Sequence, residues 1–296
     1  MTMAMYGFAI GDIAITQIEE FVDPGVPVQF LLPDLPDDVI PANLDWLAPR
    51  FLDPATMGVD ITMQSWLIRT RHHTILVDTC GGNHKPREHF PVFHQRRSSA
   101  WLDNLRAAGV SPEDIDYVFC THLHIDHVGW NTRLENGVWV PTFPNARYLW
   151  SQAEYDHARP AGDGADDGEH AIFVDSVLPV VEAGLAQMVG PSFDLDDQIA
   201  IETAPGHTPG HSLLRAKSGG QVGLFTGDAL HHPLQIAAPD CNSFACADAH
   251  QARATRRRIL GECADHGHLL VPAHFAAPHV GRITRAGDAF RFHPGP

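Results

Sequence analysis

Lysine is nearly missing from this 296-residue chain, which carries only Lys85 and Lys217. Basic residues number 20 against 36 acidic ones, a formal charge of −16. That imbalance argues against nucleic acid or an anionic membrane as a partner, because phosphate is gripped mainly by Lys and Arg. Cysteine is scarce as well. Cys80, Cys120, Cys241, Cys246 and Cys263 are odd in number and contain no CxxC pair, which excludes a fully paired disulfide framework and suits a reducing compartment. No apolar stretch is long enough to span a bilayer, residues 1–7 lack a basic region, and Asp12 interrupts the apolar run behind them. Neither a signal peptide nor a membrane anchor is expected, and the cytoplasm is the expected location. Repeats and low-complexity blocks are also missing, so nothing in the composition divides the chain.

What is present is 44% hydrophobic and 19% charged residues, enough for a sizeable core, and a single α/β domain over residues 1–296 is expected. Residues 8–18 alternate as a strand does. Residues 22–54 are rich in proline and carry Val26, Val28, Phe30, Leu31, Leu32, Leu44, Trp46 and Leu47 without a clear period, the mark of a long loop that wraps a sheet or forms a binding wall. Residues 65–70 and 74–78 read as a hairpin of core strands, residues 98–108 as a helix stopped by Gly109, and residues 117–120 as a short buried strand. Ser151-Gln152-Ala153-Glu154 has the form of a capping box. Residues 163–169 read as a polar loop and residues 171–182 as a second helix ending near Gly184. Strands are expected at residues 199–203, 212–216 and 222–226, with a turn at Ser218-Gly219-Gly220, and at residues 269–271 after a helix over residues 247–266. The arginines of residues 253–258 read as a solvated face of that helix. Residues 281–292 close the chain as an edge hairpin around Gly287-Asp288. The apolar character of residues 22–54 makes a homodimer an expectation.

Chemistry concentrates in Cys120-Thr121-His122-Leu123-His124-Ile125-Asp126-His127-Val128-Gly129-Trp130. Three imidazoles and one carboxylate fall within six residues, directly after an apolar strand. His122 and His124 lie two apart and point the same way from extended chain, while Asp126 and His127 follow a turn and face a second point. A lone histidine at a strand end is usually a polar residue that has found a hydrogen bond. Four such groups packed together without a cation would cost on the order of a few kcal/mol each, so a metal is the expected occupant.

The string His122-x-His124-x-Asp126-His127 resembles the signature of the metallo-β-lactamase superfamily, and three further motifs follow in that family's order. They are Ala204-Pro205-Gly206-His207-Thr208-Pro209-Gly210-His211, Phe225-Thr226-Gly227-Asp228 and Val271-Pro272-Ala273-His274. The resemblance implies a four-layer αβ/βα sandwich, two mixed sheets flanked by helices. It also implies that His122, His124 and His207 hold one metal, that Asp126, His127 and His274 hold another, and that Asp228 bridges them. Nitrogen and oxygen ligands suit Zn²⁺ best, with Fe, Mn or Co also acceptable. Two divalent ions would supply a bridging hydroxide as nucleophile, with Asp126 as proton carrier. Asp78 would stand behind the ligands, capping being the competing account, and His211 would brace the turn made by Gly206, Thr208 and Gly210.

Departures from other branches narrow the expectation. The absence of a sulfur ligand disfavours the β-lactamases that use cysteine, and His124 stands where diiron flavoproteins carry glutamate. The 22 residues after His274 are too few for the helical domain of glyoxalase II enzymes. What remains resembles lactonases of the acyl-homoserine-lactone type, the enzymes of quorum quenching, and neighbours that hydrolyse organophosphates, aryl esters or chlorinated aromatics. A dinuclear-metal hydrolase of a lactone or related ester is therefore expected, acting on a small molecule with an apolar or acyl group that residues 22–54 would wall in. Organophosphate or chlorinated-aromatic hydrolysis is the alternative on the same site, and a mononuclear iron persulfide dioxygenase the alternative from another class. Lactonases commonly place a tyrosine just after the bridging aspartate, where this chain reads Asp228-Ala229-Leu230-His231-His232-Pro233. His231 is expected to act on substrate in its place, with His232 as the second candidate and simple packing of the loop to Phe244 as the competing account.

Overall fold

The computed structural model describes residues 5–160 and 168–296. Backbone contacts gather them into two compact units, one holding the chain up to Phe21 with Met63–Phe193, the other Val22–Thr62 with Asp194–Pro296. Both large sheets are mixed, which bears out the expected α/β class with two mixed sheets.

The first sheet has seven strands in the spatial order Gly7–Ile10, Ile13–Pro27, Gly58–Arg69, Thr74–Val77, Tyr117–Phe119, Arg147–Ser151, Ala186–Val189. The last four run parallel, with Val77 opposite Phe119 and Phe119 opposite Leu149. Strands buried on both faces need continuous apolar runs, and Ile75-Leu76-Val77 and Val118-Phe119 supply them. Polar residues therefore appear only where these strands end, at Asp78 and from Thr121 onward. The helix Ala100–Ala107 buries Trp101 and Leu105 and stops where Gly109 takes φ +77°. Trp101 stacks on Trp130 at 5.5 Å between ring centroids, tying this helix to the metal motif.

The second sheet runs Ser192–Asp194, Ile199–Thr203, Ser212–Ser218, Gln221–Gly227, Leu269–Pro272, Gly281–Ala286, Ala289–Pro294. Gly219 and Gly220, at φ +56° and +78°, make the tight turn between the third and fourth strands. The fourth and fifth pair in parallel, and the register slips between Phe225 and Gly227. The helix Ala249–His266 separates them in sequence, capped by the Asp248 carboxylate, which accepts from Gln251 N at 2.9 Å, and ended by left-handed Gly267. Such a bulge re-aims the residue that follows it, here Asp228.

Four expectations need correction. Residues 8–18 are two strands, Gly7–Ile10 and Ile13–Pro27, reversed at Gly11 with φ +57°. Residues 22–54 are not loop throughout: the second strand continues to Pro27, and helices follow at Val28–Leu31 and Val39–Leu47. Proline density masked them, although Pro41 falls in a first turn, where no N–H is required. The helix expected over residues 171–182 begins at Gly168 and passes through a π-helical turn, Phe173–Val177, before Leu178–Glu182. In the arginine segment, Arg256 is fully buried and donates to the carbonyls of Ala229, Pro239 and Cys241 at 2.9, 2.7 and 2.6 Å. Residues 163–167 of the expected polar loop lie outside the described residues. Among the described residues no helix is long and apolar enough to cross a membrane.

Candidate metal centre

In the first unit the chain leaves the strand Tyr117–Phe119 and enters the motif at the carboxyl end of the parallel strands, the usual place for a ligand site in such sheets. His122 and His127 are buried, with ring centroids 4.0 Å apart, and His124 stands 4.5 Å from His122. Asp126 Oδ1 lies 3.6 Å from His127 Nε2, its side chain 17% exposed, so it is the more solvent-reachable of the two.

Asp78 organises this half from behind. It adopts φ +58° at the end of Thr74–Val77, and its Oδ2 lies 2.9 Å from His127 Nδ1. Thr121 donates to Asp78 from its backbone N at 2.8 Å and from its hydroxyl at 3.0 Å, while the same hydroxyl lies 3.0 Å from His122 Nδ1. One buried carboxylate thus fixes two imidazoles, His127 directly and His122 through Thr121, and leaves Nε2 of each to face forward. The close fit also needs glycine. A Cβ on Gly129 would stand 2.0 Å from the Gly81 carbonyl, so only glycine lets the motif lie against the segment after Asp78.

In the second unit, Asp228 follows the bulge and is buried with three imidazoles around it. Its Oδ1 lies 3.0 Å from His274 Nε2, and its Oδ2 lies 3.4 Å from His207 Nε2 and 3.1 Å from His231 Nε2. The ligand atoms of His207, Asp228 and His231 fall within 4.8 Å of one another. His274 Nδ1 donates to Thr62 O at 3.1 Å, and His207 Nδ1 faces the Cys246 thiol at 3.8 Å. His211 donates from Nδ1 to Ala204 O at 3.0 Å and accepts Asp228 N at 3.1 Å on Nε2, so it braces the turn with both nitrogens. Gly206, at φ +132°, is needed because a Cβ there would meet Ala252 N at 2.2 Å.

His231 and His232 separate clearly. The His232 ring donates from Nε2 to Phe51 O at 2.7 Å and accepts Leu234 N on Nδ1 at 3.1 Å, which spends both nitrogens on structure. Burial pulls its pKa from 6.5 down to about 4. The alternative that His232 acts on substrate is therefore corrected: it is a neutral tether. His231 instead directs Nε2 at Asp228.

Three supporting residues escaped the sequence reading. Glu154 accepts Leu123 N at 2.9 Å and steadies the backbone between His122 and His124. Half of the capping-box form is real, since Ser151 Oγ accepts Glu154 N at 3.0 Å, but the glutamate side chain goes to the motif. Glu20 accepts Gly81 N, Gly82 N and Trp130 Nε1 at 2.9, 3.2 and 2.7 Å, with burial raising its pKa. Cys246, at a loop position, has no local sequence signal at all.

Both halves fit divalent metal. Imidazole nitrogens and carboxylate oxygens are the donors, and acceptors behind His122, His127 and His274 set the tautomer that turns a lone pair toward the cluster. Lone pairs and carboxylates packed in this way repel one another unless a cation is shared.

The family described as the metallo-beta-lactamase superfamily matches residues 64–274. The N-acyl homoserine lactonase AttM of Azorhizobium caulinodans is 30% identical over 148 residues, 48% of this chain and 51% of that protein. AttM of Agrobacterium fabrum is 37% identical over 137 residues, 44% of this chain and 47% of its own length. The chain thus spans about half the length of these curated relatives. Among solved structures, the hydrolase AbOPH of the beta lactamase superfamily superposes with a TM-score of 0.80 at 24% identity, covering 99% of this chain and 97% of that one. AidC, a dizinc quorum-quenching lactonase in complex with a product, gives 0.78 at 21% identity with the same coverage. At these identities the two structures establish a shared fold.

Proposed function

Because the chain belongs to the metallo-beta-lactamase superfamily, we propose that it is a metal-dependent hydrolase that opens a lactone or cleaves a related ester of a small molecule bearing an acyl or apolar group. His122, His124 and His207 would hold one divalent ion, Asp126, His127 and His274 a second, most simply Zn²⁺, with Asp228 shared between them. When bound, such a pair supplies Lewis acidity toward a carbonyl and lowers the pKa of a shared water toward neutrality.

The chain's own residues do the rest. Asp78 and Thr121 hold the His127 and His122 rings still, and His211 pins the backbone of Asp228, so little reorganisation is needed as charge develops. Asp126, the partly exposed carboxylate of the first half, carries a proton between the reacting water and the leaving alkoxide. His231, held 3.1 Å from Asp228 Oδ2, hydrogen-bonds the substrate oxygen where related lactonases place tyrosine.

The observation that carries this reading is the division of Asp228. Its Oδ1 faces His274, while its Oδ2 faces His207 and His231, so the carboxylate could serve as a ligand to two cations when they are bound. The relatives named N-acyl homoserine lactonase support the substrate class. The test is metal analysis of the purified chain together with oxygen-free hydrolysis of N-acyl homoserine lactones, aryl esters, phosphotriesters and chloroaromatics. Two zinc-like ions per chain with lactones or esters turned over fastest are expected. One iron per chain with oxygen consumption on a persulfide would overturn the proposal, and phosphotriesters as the preferred substrates would move it to the organophosphate alternative.

A further inference from the structure

An arginine outside the ligand motifs grips the loop that carries His231. Arg256 lies fully buried on the helix Ala249–His266, and among the described residues its hydrogen-bond acceptors include no carboxylate. Burying a guanidinium without a counter-charge beside it is costly, and burial draws its pKa below the usual arginine value. Carbonyl oxygens take the charge instead. Nε donates to Ala229 O at 2.9 Å, and Nη1 donates to Pro239 O and Cys241 O at 2.7 and 2.6 Å. The planar fork thus holds both ends of the segment 229–241, which begins one residue after Asp228.

A second buried side chain carries that grip to His231. Gln235 is fully buried and donates from Nε2 to Cys241 O at 3.0 Å, the carbonyl that Arg256 also holds, while its Oε1 accepts His231 N at 2.7 Å. Arg256 therefore reaches His231 from two sides, through Ala229 two residues before it and through Cys241 and Gln235 at its own N–H. This matters because the ring has little else to fix it. His274 anchors Nδ1 on Thr62 O and His211 anchors Nδ1 on Ala204 O, whereas His231 Nδ1 is buried without a hydrogen-bond partner among the described residues. With no anchor behind the ring, the aim of Nε2, 3.1 Å from Asp228 Oδ2, depends on where the backbone sets it.

We propose that Arg256 and Gln235 form a frame that positions His231, so that its ring meets the substrate oxygen. This rests on the reading of His231 as a hydrogen-bond donor to substrate in a hydrolase. Both are positioning residues and act on the reaction only through His231. Lysine does not replace the guanidinium, because a single ammonium offers no planar fork to hold Ala229 O and Cys241 O together.

A double-mutant cycle separates positioning from general support of the fold. In zinc-loaded protein of equal metal content, on the lactone or aryl ester the parent turns over fastest, Arg256→Lys is expected to lower kcat about tenfold with KM held within about twofold, since a misaimed hydrogen bond is lost mainly in the transition state. Added to His231→Ala, the same change should lower kcat by less than about twofold. Gln235→Leu cuts the frame at its other link and should show the same pattern; it is the second variant should Arg256→Lys not fold. Imidazole ¹⁵N spectra of the zinc-loaded chain, with the His231 signals assigned by their loss in His231→Ala, read the ring without turnover. Either variant should move those signals and leave the signals of His211, anchored at both nitrogens, in place. Equal losses of kcat with and without His231, or unmoved His231 signals in whichever variant folds, overturns the frame. Moved signals in a chain that hydrolyses no lactone or ester leave the frame standing and overturn the hydrolase reading alone.

Discussion

Replacing His232 with glutamine, which cannot titrate in the physiological range, should remove a pH dependence built into the fold. In the native chain the ring is 2% exposed, donates to Phe51 O and accepts from Leu234 N. Burial lowers its pKa from 6.5 to about 4, opposed only by the bond to Phe51. The unfolded ring takes a proton below about pH 6.5, the folded ring not until about pH 4, so between these values the unfolded state binds more protons and stability rises with pH. This contribution is complete above pH 6.5, is lost as pH falls toward 4, and does not change further once both states are protonated. Integrating over that window gives a loss of about 2 kcal/mol between pH 7 and pH 5, and about 3 kcal/mol by pH 4. Urea unfolding of metal-free protein, followed by tryptophan fluorescence at both pH values, measures it. Chelation keeps metal release out of the comparison, and the other histidines cancel between the two proteins. His232→Gln is expected to be less stable at pH 7, yet to lose about 2 kcal/mol less than the parent on going to pH 5. Parallel stability curves would show that the buried ring accepts its proton as readily as a free one, and the assignment of His232 as a neutral tether would be wrong. The consequence reaches the site, because this tether ties the loop that carries His231 to residue 51.

Three further outcomes follow from the geometry. Asp78→Ala leaves the His127 and His122 rings without their anchor and should weaken metal binding about 10- to 100-fold, read by competition with a chelator; unchanged affinity would return Asp78 to a capping role. His231→Ala should lower turnover with metal content unchanged, and loss of an ion in that variant would make His231 a ligand instead. Gly206→Ala places a methyl group 2.2 Å from Ala252 N at a φ of +132°, and should cost about 1–3 kcal/mol in a urea titration, together with weaker metal binding through His207.

Much of the site was legible because its grammar is local. Three imidazoles and a carboxylate in six residues after a buried strand state their chemistry without any partner. The order of the later histidine and aspartate motifs added the rest of the ligand candidates. The tight turn at Gly219-Gly220 and the helix stop at Gly109 were legible for the same reason: glycine takes a positive φ there without steric cost. The π-helical turn was legible in principle, since Pro179 removes a donor four residues ahead of itself, but apolar spacing alone hid it.

Other features exist only once distant segments meet. His231 and His232 are indistinguishable as letters, and only Phe51, 181 positions away, makes one of them a neutral tether. Glu154 looked like half of a helix cap and serves the metal motif because folding brings Leu123 N within reach of it. Lys85 read as one of two stray lysines until Asp175, 90 positions on, gave it a counter-charge. Residue type and short-range spacing thus determine which groups can bind metal and where the backbone must turn, whereas burial and long-range hydrogen bonding decide which chemically identical side chains bind, brace or merely hold the chain, because desolvation and partner geometry are properties of the folded neighbourhood.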